Sequence, residues 1–154
     1  MYTPNQRQNF YGRGNAGAYP KRPLHSFQDL EVYQKALECS VLVGKKIDKF
    51  IGSGIVSDMV VKNMLHCALG IPHQVAEAHS LRFGDHTAGI AAIERAMLGC
   101  NKMVVYLEQF RDICESGVEW EFFDDTIKKY LYVRRKMLRL EQAWKKFMPE
   151  YKEK

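Results

Sequence analysis

Three histidines and a glutamate that could bind a metal fall within one stretch of this 154-residue chain. His66, His73 and His79 lie on one predicted helix, and Glu77 follows His73 by four residues, about one helical turn. Metal sites inside helical bundles normally use ExxH pairs that point inward from facing helices, and the sequence contains no ExxH. The spacing therefore favours an ordinary hydrogen bond on a helix, and we predict neither a metal nor another cofactor.

Nucleophilic catalysis also lacks a candidate site. Cys67 adjoins His66, but neighbouring residues on a helix do not face each other. The turn at residues 52–54 has neither the spacing nor the lysine of a phosphate-binding Walker loop. The cysteines are widely separated and form no CxxC pair, which indicates reduced, buried thiols (Cys39, Cys67, Cys100 and Cys114). We expect a protein that works by binding and is not an enzyme.

Positive charge is concentrated in two segments of the chain. Residues 1–24 contain four basic side chains and no acid, which accounts for +4 of the net charge of +5. Residues 128–146 contain eight basic side chains and one acid, a net charge of +7. Cationic side chains that neutralise phosphates release condensed counterions and so favour a polyanionic partner. The predicted nucleic-acid-binding residues are the tail cations and one face of the last helix: Arg7, Arg13, Lys21, Arg22, Lys128, Arg135, Lys136, Arg139 and Lys146.

The same charges are also compatible with two roles that involve no nucleic acid. The tail cations suit a segment that only confers solubility. Acids at residues 119–125 followed by bases at 128–146 agree with the helix dipole, which favours cations near a C-terminus. The sequence leaves both possibilities open.

Four amphipathic helices are predicted to carry these segments. Apolar residues recur every three or four positions over residues 30–51, 58–82, 86–114 and 119–148, with no alternating strand pattern. Ser26 and Asp29 have the spacing of a capping box, and Asp85 can cap the third helix. Short connections make sequential helices antiparallel neighbours. The sequence therefore predicts an all-α, antiparallel up-down-up-down four-helix bundle over residues 25–154, preceded by a flexible, disordered basic tail of residues 1–24.

The helical projection also predicts which side chains face the core. Arg134 and Glu141 project toward the apolar face of the last helix, where an isolated charge is costly, so we expect them to meet each other or a second subunit. Leu138 is predicted on the same inner face. For the first helix, the predicted inner stripe comprises Leu30, Tyr33, Leu37, Val41, Gly44, Ile47 and Ile51.

Two motifs resemble a known family of bundle proteins. Residues 27–36 read FQDLEVYQKA and residues 70–78 read GIPHQVAEA. They resemble the opening motif and the helix-two signature of the four-helix-bundle proteins encoded by 23S ribosomal RNA intervening sequences. The accessory variability proteins of diversity-generating retroelements are similar bundles. The residues after Gly99 depart from the ribosomal pattern, and the composition of the tail favours the retroelement branch.

The resemblance implies a homopentamer whose basic surface binds RNA or DNA without strong sequence preference. In retroelements it also implies a complex with a reverse transcriptase. The expected function is a non-catalytic nucleic-acid-binding accessory protein that partners a reverse transcriptase and its template RNA. The alternative is a protein-binding bundle adaptor with no nucleic-acid role. No apolar run reaches the length of a membrane span and no signal-peptide pattern opens the chain, so we expect no membrane partner and a cytoplasmic location.

Overall fold

The protein is an all-helical bundle in the computed structural model, which describes residues 26–114 and 118–148. Its four helices are α1 (Glu31–Ile47), α2 (Asp58–Leu81), α3 (His86–Cys114) and α4 (Val118–Lys146), and these two ranges contain no strand. α3 packs between α2 and α4, and α1 contacts both α2 and α4 to close the bundle. The predicted four-helix bundle is confirmed, whereas the predicted tail lies outside the described residues.

The chain enters the bundle through the predicted cap. The Ser26 hydroxyl accepts a hydrogen bond from the Gln28 amide at 3.1 Å, and the Ser26 amide donates to the Asp29 carboxylate at 3.1 Å. This reciprocal pair caps a single 3-10 turn, and Leu30 then adopts an extended conformation before α1 begins. The capping box is thus confirmed, although it precedes the α-helix by one turn.

The end of α1 lies earlier than predicted. The α-helix stops at Ile47 and tightens into a 3-10 turn at Asp48–Phe50. Gly52 and Gly54 then adopt φ values of 76° and 75°, in the left-handed region where only glycine is unstrained. These two glycines reverse the chain into α2.

The predicted inner stripe of α1 is wrong for two of its members. Val41 and Ile51 are 44% and 39% exposed, whereas Leu30 and Ile47 are buried as predicted. The other buried residues of this segment are Val32, Ala36, Cys39, Ser40, Val43 and Phe50. Apolar residues cover more than one face of α1, so helical periodicity fits two neighbouring stripes. Which of the two apolar stripes of α1 is buried depends on where α2 and α4 pack against it. Leu138 on α4, also predicted inside, is 37% exposed.

The inner faces of α2 and α3 pack closely against each other. A Cβ placed on Gly99 of α3 would lie 2.9 Å from the Cγ1 atom of Ile71 on α2, so a larger residue would push the helices apart. At one end of the bundle, Phe50, Phe110 and Phe123 form an aromatic cluster with ring centroids 5.5 to 6.4 Å apart. None of the helices within the described ranges is long and apolar enough to cross a membrane.

Candidate nucleic-acid interface

α4 exposes an unpaired row of cations in its C-terminal half. Arg135, Arg139 and Lys146 are exposed, and none has a carboxylate within 4.0 Å among residues 26–114 and 118–148. Their spacing of four and seven residues keeps them on one face over about 16 Å of helix. We call these three residues the cation stripe.

The other two predicted members of this face, Lys128 and Lys136, have carboxylate partners. Lys128 lies 3.0 Å from Asp124, one turn earlier, and the hydrogen bond and charge of that carboxylate raise the pKa of Lys128. Lys136 lies 3.6 Å from Glu31 of α1. The pair of Lys128 with Asp124 could have been predicted from their i, i+4 spacing. The pair of Lys136 with Glu31 could not, because it depends on how α1 packs against α4. The predicted basic face is therefore partly compensated.

Lys129 and Lys145 of α4 also have carboxylate partners, Lys129 on α1 and Lys145 on both α4 and α3. Lys129 lies 3.8 Å from Glu38 of α1. Lys145 lies 2.7 Å from Glu141 and 3.8 Å from Glu94 of α3.

Arg134 and Glu141 do not pair with each other, so the first of the two alternatives expected from the sequence is wrong, and contact with a second subunit stays a prediction. Glu141 is only 4% exposed and pairs with Lys145, one turn away. Arg134 lies two turns before Glu141, a separation of about 10 Å along the helix. Its Nε atom is buried and has no hydrogen-bond partner within the described part of the chain.

The raised pKa of the Glu94 carboxyl makes the free energy of unfolding depend on pH. A hydrogen bond to Glu141, then burial and repulsion by the same group, raises the pKa of Glu94 above its ordinary value of 4.5. The folded state therefore binds more protons than the unfolded state just above pH 4.5, and the stability from Glu94 is lost as pH rises through the folded pKa.

We expect Glu94→Gln to reduce this fall of stability with pH, because glutamine can still donate to Glu141 but does not titrate. Urea unfolding midpoints measured from pH 4.5 to 7 would test it. Glu108→Gln, an exposed carboxylate on the same helix, is the control and should keep the wild-type profile. Identical profiles for wild type and Glu94→Gln would contradict the prediction.

α1 and α4 run in opposite directions, so the start of α1 lies beside the beginning of the cation stripe. Pairing of Lys136 with Glu31, Lys129 with Glu38 and Lys49 with Glu119 shows that α1 and α4 are antiparallel. The beginning of α1 is therefore level with Lys136, next to Arg135 at the start of the cation stripe. The four cations of residues 1–24 precede Ser26 in the sequence but lie outside the described residues. Their predicted role in binding stays a prediction.

The histidines are not assembled into a site. His66 and His73 are exposed, and Glu77 pairs at 3.3 Å with Arg95 of α3. His79 is buried, and burial followed by the charge of Arg82 lowers its pKa. In the residues that the structure describes, no group of three or more His, Cys, Asp or Glu side chains is placed to hold a metal ion.

Sequence reasoning missed a cleft between α1 and α4. Its volume is about 320 Å³, and it is lined by Lys35, Glu38, Cys39, Lys128, Lys129, Tyr132 and Val133. These residues come from two helices that are distant in the chain, so no local motif could reveal them. Burial and the charge of Glu38 raise the pKa of Cys39 to about 11, so the thiol at this cleft stays protonated near neutral pH.

The fold and this surface together define a small helical bundle with a partly compensated basic face. Comparison with protein-family models, with curated proteins and with solved structures finds no match. Any assignment of function therefore depends on the surface itself and on the resemblance of the two motifs.

Proposed function

We propose that this protein is a non-catalytic nucleic-acid-binding accessory protein that holds RNA or DNA along the cation stripe. The observation that supports this most directly is the exposure of Arg135, Arg139 and Lys146 without carboxylate partners in the described part of the chain.

The residues of the cation stripe are better suited to bind phosphate than the cations of α4 that already pair with carboxylates. A cation already paired with a carboxylate must exchange that partner for a phosphate, whereas an unpaired exposed cation releases only water and counterions. Phosphate contacts position a nucleic acid without reading its sequence. The expected binding is therefore strong at low salt and weakly selective among sequences.

The proposal includes an oligomeric assembly with a reverse transcriptase and its template RNA. This part is supported by the resemblance of residues 27–36 and 70–78 to the bundle families. Leu30, Ala36 and Pro72, which belong to those motifs, are buried and serve helix packing. Light scattering would test the homopentamer that the resemblance implies. A monomer at micromolar concentration would contradict it, and a reverse-transcriptase gene beside this one would favour the retroelement role.

Binding to unrelated RNAs should weaken steeply as salt rises. Three phosphate contacts from the stripe contribute about −2 to −3 to the slope of log affinity against log salt concentration. Fluorescence anisotropy with two RNAs of unrelated sequence, at about 50 to 300 mM salt, measures this slope. Similar slopes for both sequences are expected. Failure to retain either RNA at the lowest salt would refute the proposed function.

A protein-binding adaptor is the second candidate, because apolar side chains remain exposed on the outer faces of α3 and α4. Leu98 and Val105 are 52% and 53% exposed, and Leu131 is 43% exposed. Contiguous exposed apolar surface often marks a protein contact. Charge reversal at Lys128, Arg135 and Arg139 separates the candidates, since an adaptor keeps its protein partner and a nucleic-acid binder loses retention.

A further inference from the structure

We propose that the cleft between α1 and α4 takes one unpaired nucleotide of a single strand, with its base against Tyr132. This inference rests on the proposed function and deepens it, because it names single-stranded nucleic acid as the preferred form. The cleft combines an aromatic wall, an apolar floor and lysine ammonium groups.

The aromatic wall is held in place by its neighbours. The Tyr132 hydroxyl donates a 2.6 Å hydrogen bond to Glu31 of α1, and the Lys136 ammonium lies 5.4 Å from the centre of the ring. The side chain is nevertheless 37% exposed. A ring that is both fixed and accessible loses little entropy when a base stacks on it.

The floor and rim of the cleft suit the remaining parts of a nucleotide. Cys39 and Val133 are 2% and 1% exposed and supply an apolar floor. Lys35 and Lys129 share one carboxylate, Glu38, at 3.5 and 3.8 Å. Lys128 also lines the cleft and pairs with Asp124 outside it. With Asp124 counted, three ammonium groups face two carboxylates, a net excess of one positive charge at the cleft that suits a phosphate.

Size and position connect the cleft to the cation stripe. A volume of about 320 Å³ is at the lower end of small-molecule sites, which fits one nucleotide better than a large cofactor. Tyr132 precedes Arg135 by three residues, so the two lie on neighbouring positions of the same face. A strand that follows the stripe thus passes the cleft. A base in a duplex is paired and stacked, and cannot enter without being extruded.

The test compares a thymidine oligonucleotide of about twelve residues with an abasic oligonucleotide of equal length and charge. Wild-type protein should bind the thymidine strand roughly tenfold more tightly, because only that strand has bases to stack. Tyr132→Ala should remove most of this preference, and Tyr132→Phe should keep it because the ring remains. Trp120→Ala, which removes another exposed aromatic side chain of α4, is the matched control and should also keep it.

Each outcome distinguishes this inference from the proposed function. Equal binding of both strands by wild type, or a preference that survives in both Tyr132→Ala and Tyr132→Leu, overturns the base site and leaves phosphate binding intact. Tyr132→Leu keeps an apolar side chain at this position but has no aromatic ring. If Tyr132→Leu and Tyr132→Ala give the same result, that result does not come from misfolding of one variant alone. Retention of neither strand at low salt overturns the proposed function and this inference with it.

Discussion

Replacing Arg135, Arg139 and Lys146 together by alanine should weaken RNA binding on the order of 10² to 10³-fold at about 0.1 M salt. Each phosphate contact contributes about 0.9 to the salt slope on duplexes and about 0.7 on single strands. Three lost contacts therefore remove about two to three units, and each unit is tenfold in affinity between about 1 M and 0.1 M salt. All three side chains are exposed, so the fold should be unaffected.

The matched control replaces three exposed lysines elsewhere on the bundle. Lys45, Lys62 and Lys102 lie on α1, α2 and α3, and they too have no carboxylate partner within residues 26–114 and 118–148. Their replacement by alanine changes the net charge by the same amount. Anisotropy titrations of both triple variants separate a local stripe from a diffuse charge effect. Equal losses of affinity would mean that net charge, and not the stripe, drives binding.

Phe110→Ala should lower the free energy of unfolding by about 3 to 5 kcal/mol. Phe110 is fully buried, and its ring meets Phe50 edge-on at 5.5 Å and Phe123 at 6.2 Å. Truncation leaves a cavity at the point where the end of α1, the end of α3 and the start of α4 converge. Since small domains are stable by about 5 to 15 kcal/mol, this loss is a large part of the total.

Urea unfolding followed by circular dichroism measures the effect of Phe110→Ala. Phe147→Ala is the control, because Phe147 is 78% exposed and its loss should change stability by less than about 0.5 kcal/mol. Unfolding midpoints for Phe110→Ala that match the control would show that the aromatic cluster is not part of the cooperative core.

The features predicted correctly from sequence depend on neighbours only a few residues away. Asp85 caps α3 as expected, with the Ala88 amide donating to its carboxylate at 3.1 Å. Gly52 and Gly54 occupy left-handed conformations at the predicted chain reversal. Helix caps, chain reversals and apolar periodicity depend on residues within one or two helical turns of each other. They can therefore be predicted from the amino-acid sequence.

The features missed from sequence depend on where one helix lies against another. The pair of Lys136 with Glu31 of α1 removes Lys136 from the predicted basic face. The Tyr132 hydroxyl reaches Glu31 across 101 residues of chain. Neither contact has a local signature.

The sequence by itself determined the number and order of the helices, because each helix has its own apolar periodicity. Tertiary structure decided which apolar stripe of α1 is buried, which cations of α4 remain unpaired and where the cleft between α1 and α4 opens. These outcomes depend on the rotation and separation of packed helices. Side chains of α1 and α4 are neighbours because α2 and α3 lie between them in the chain and return it to α1.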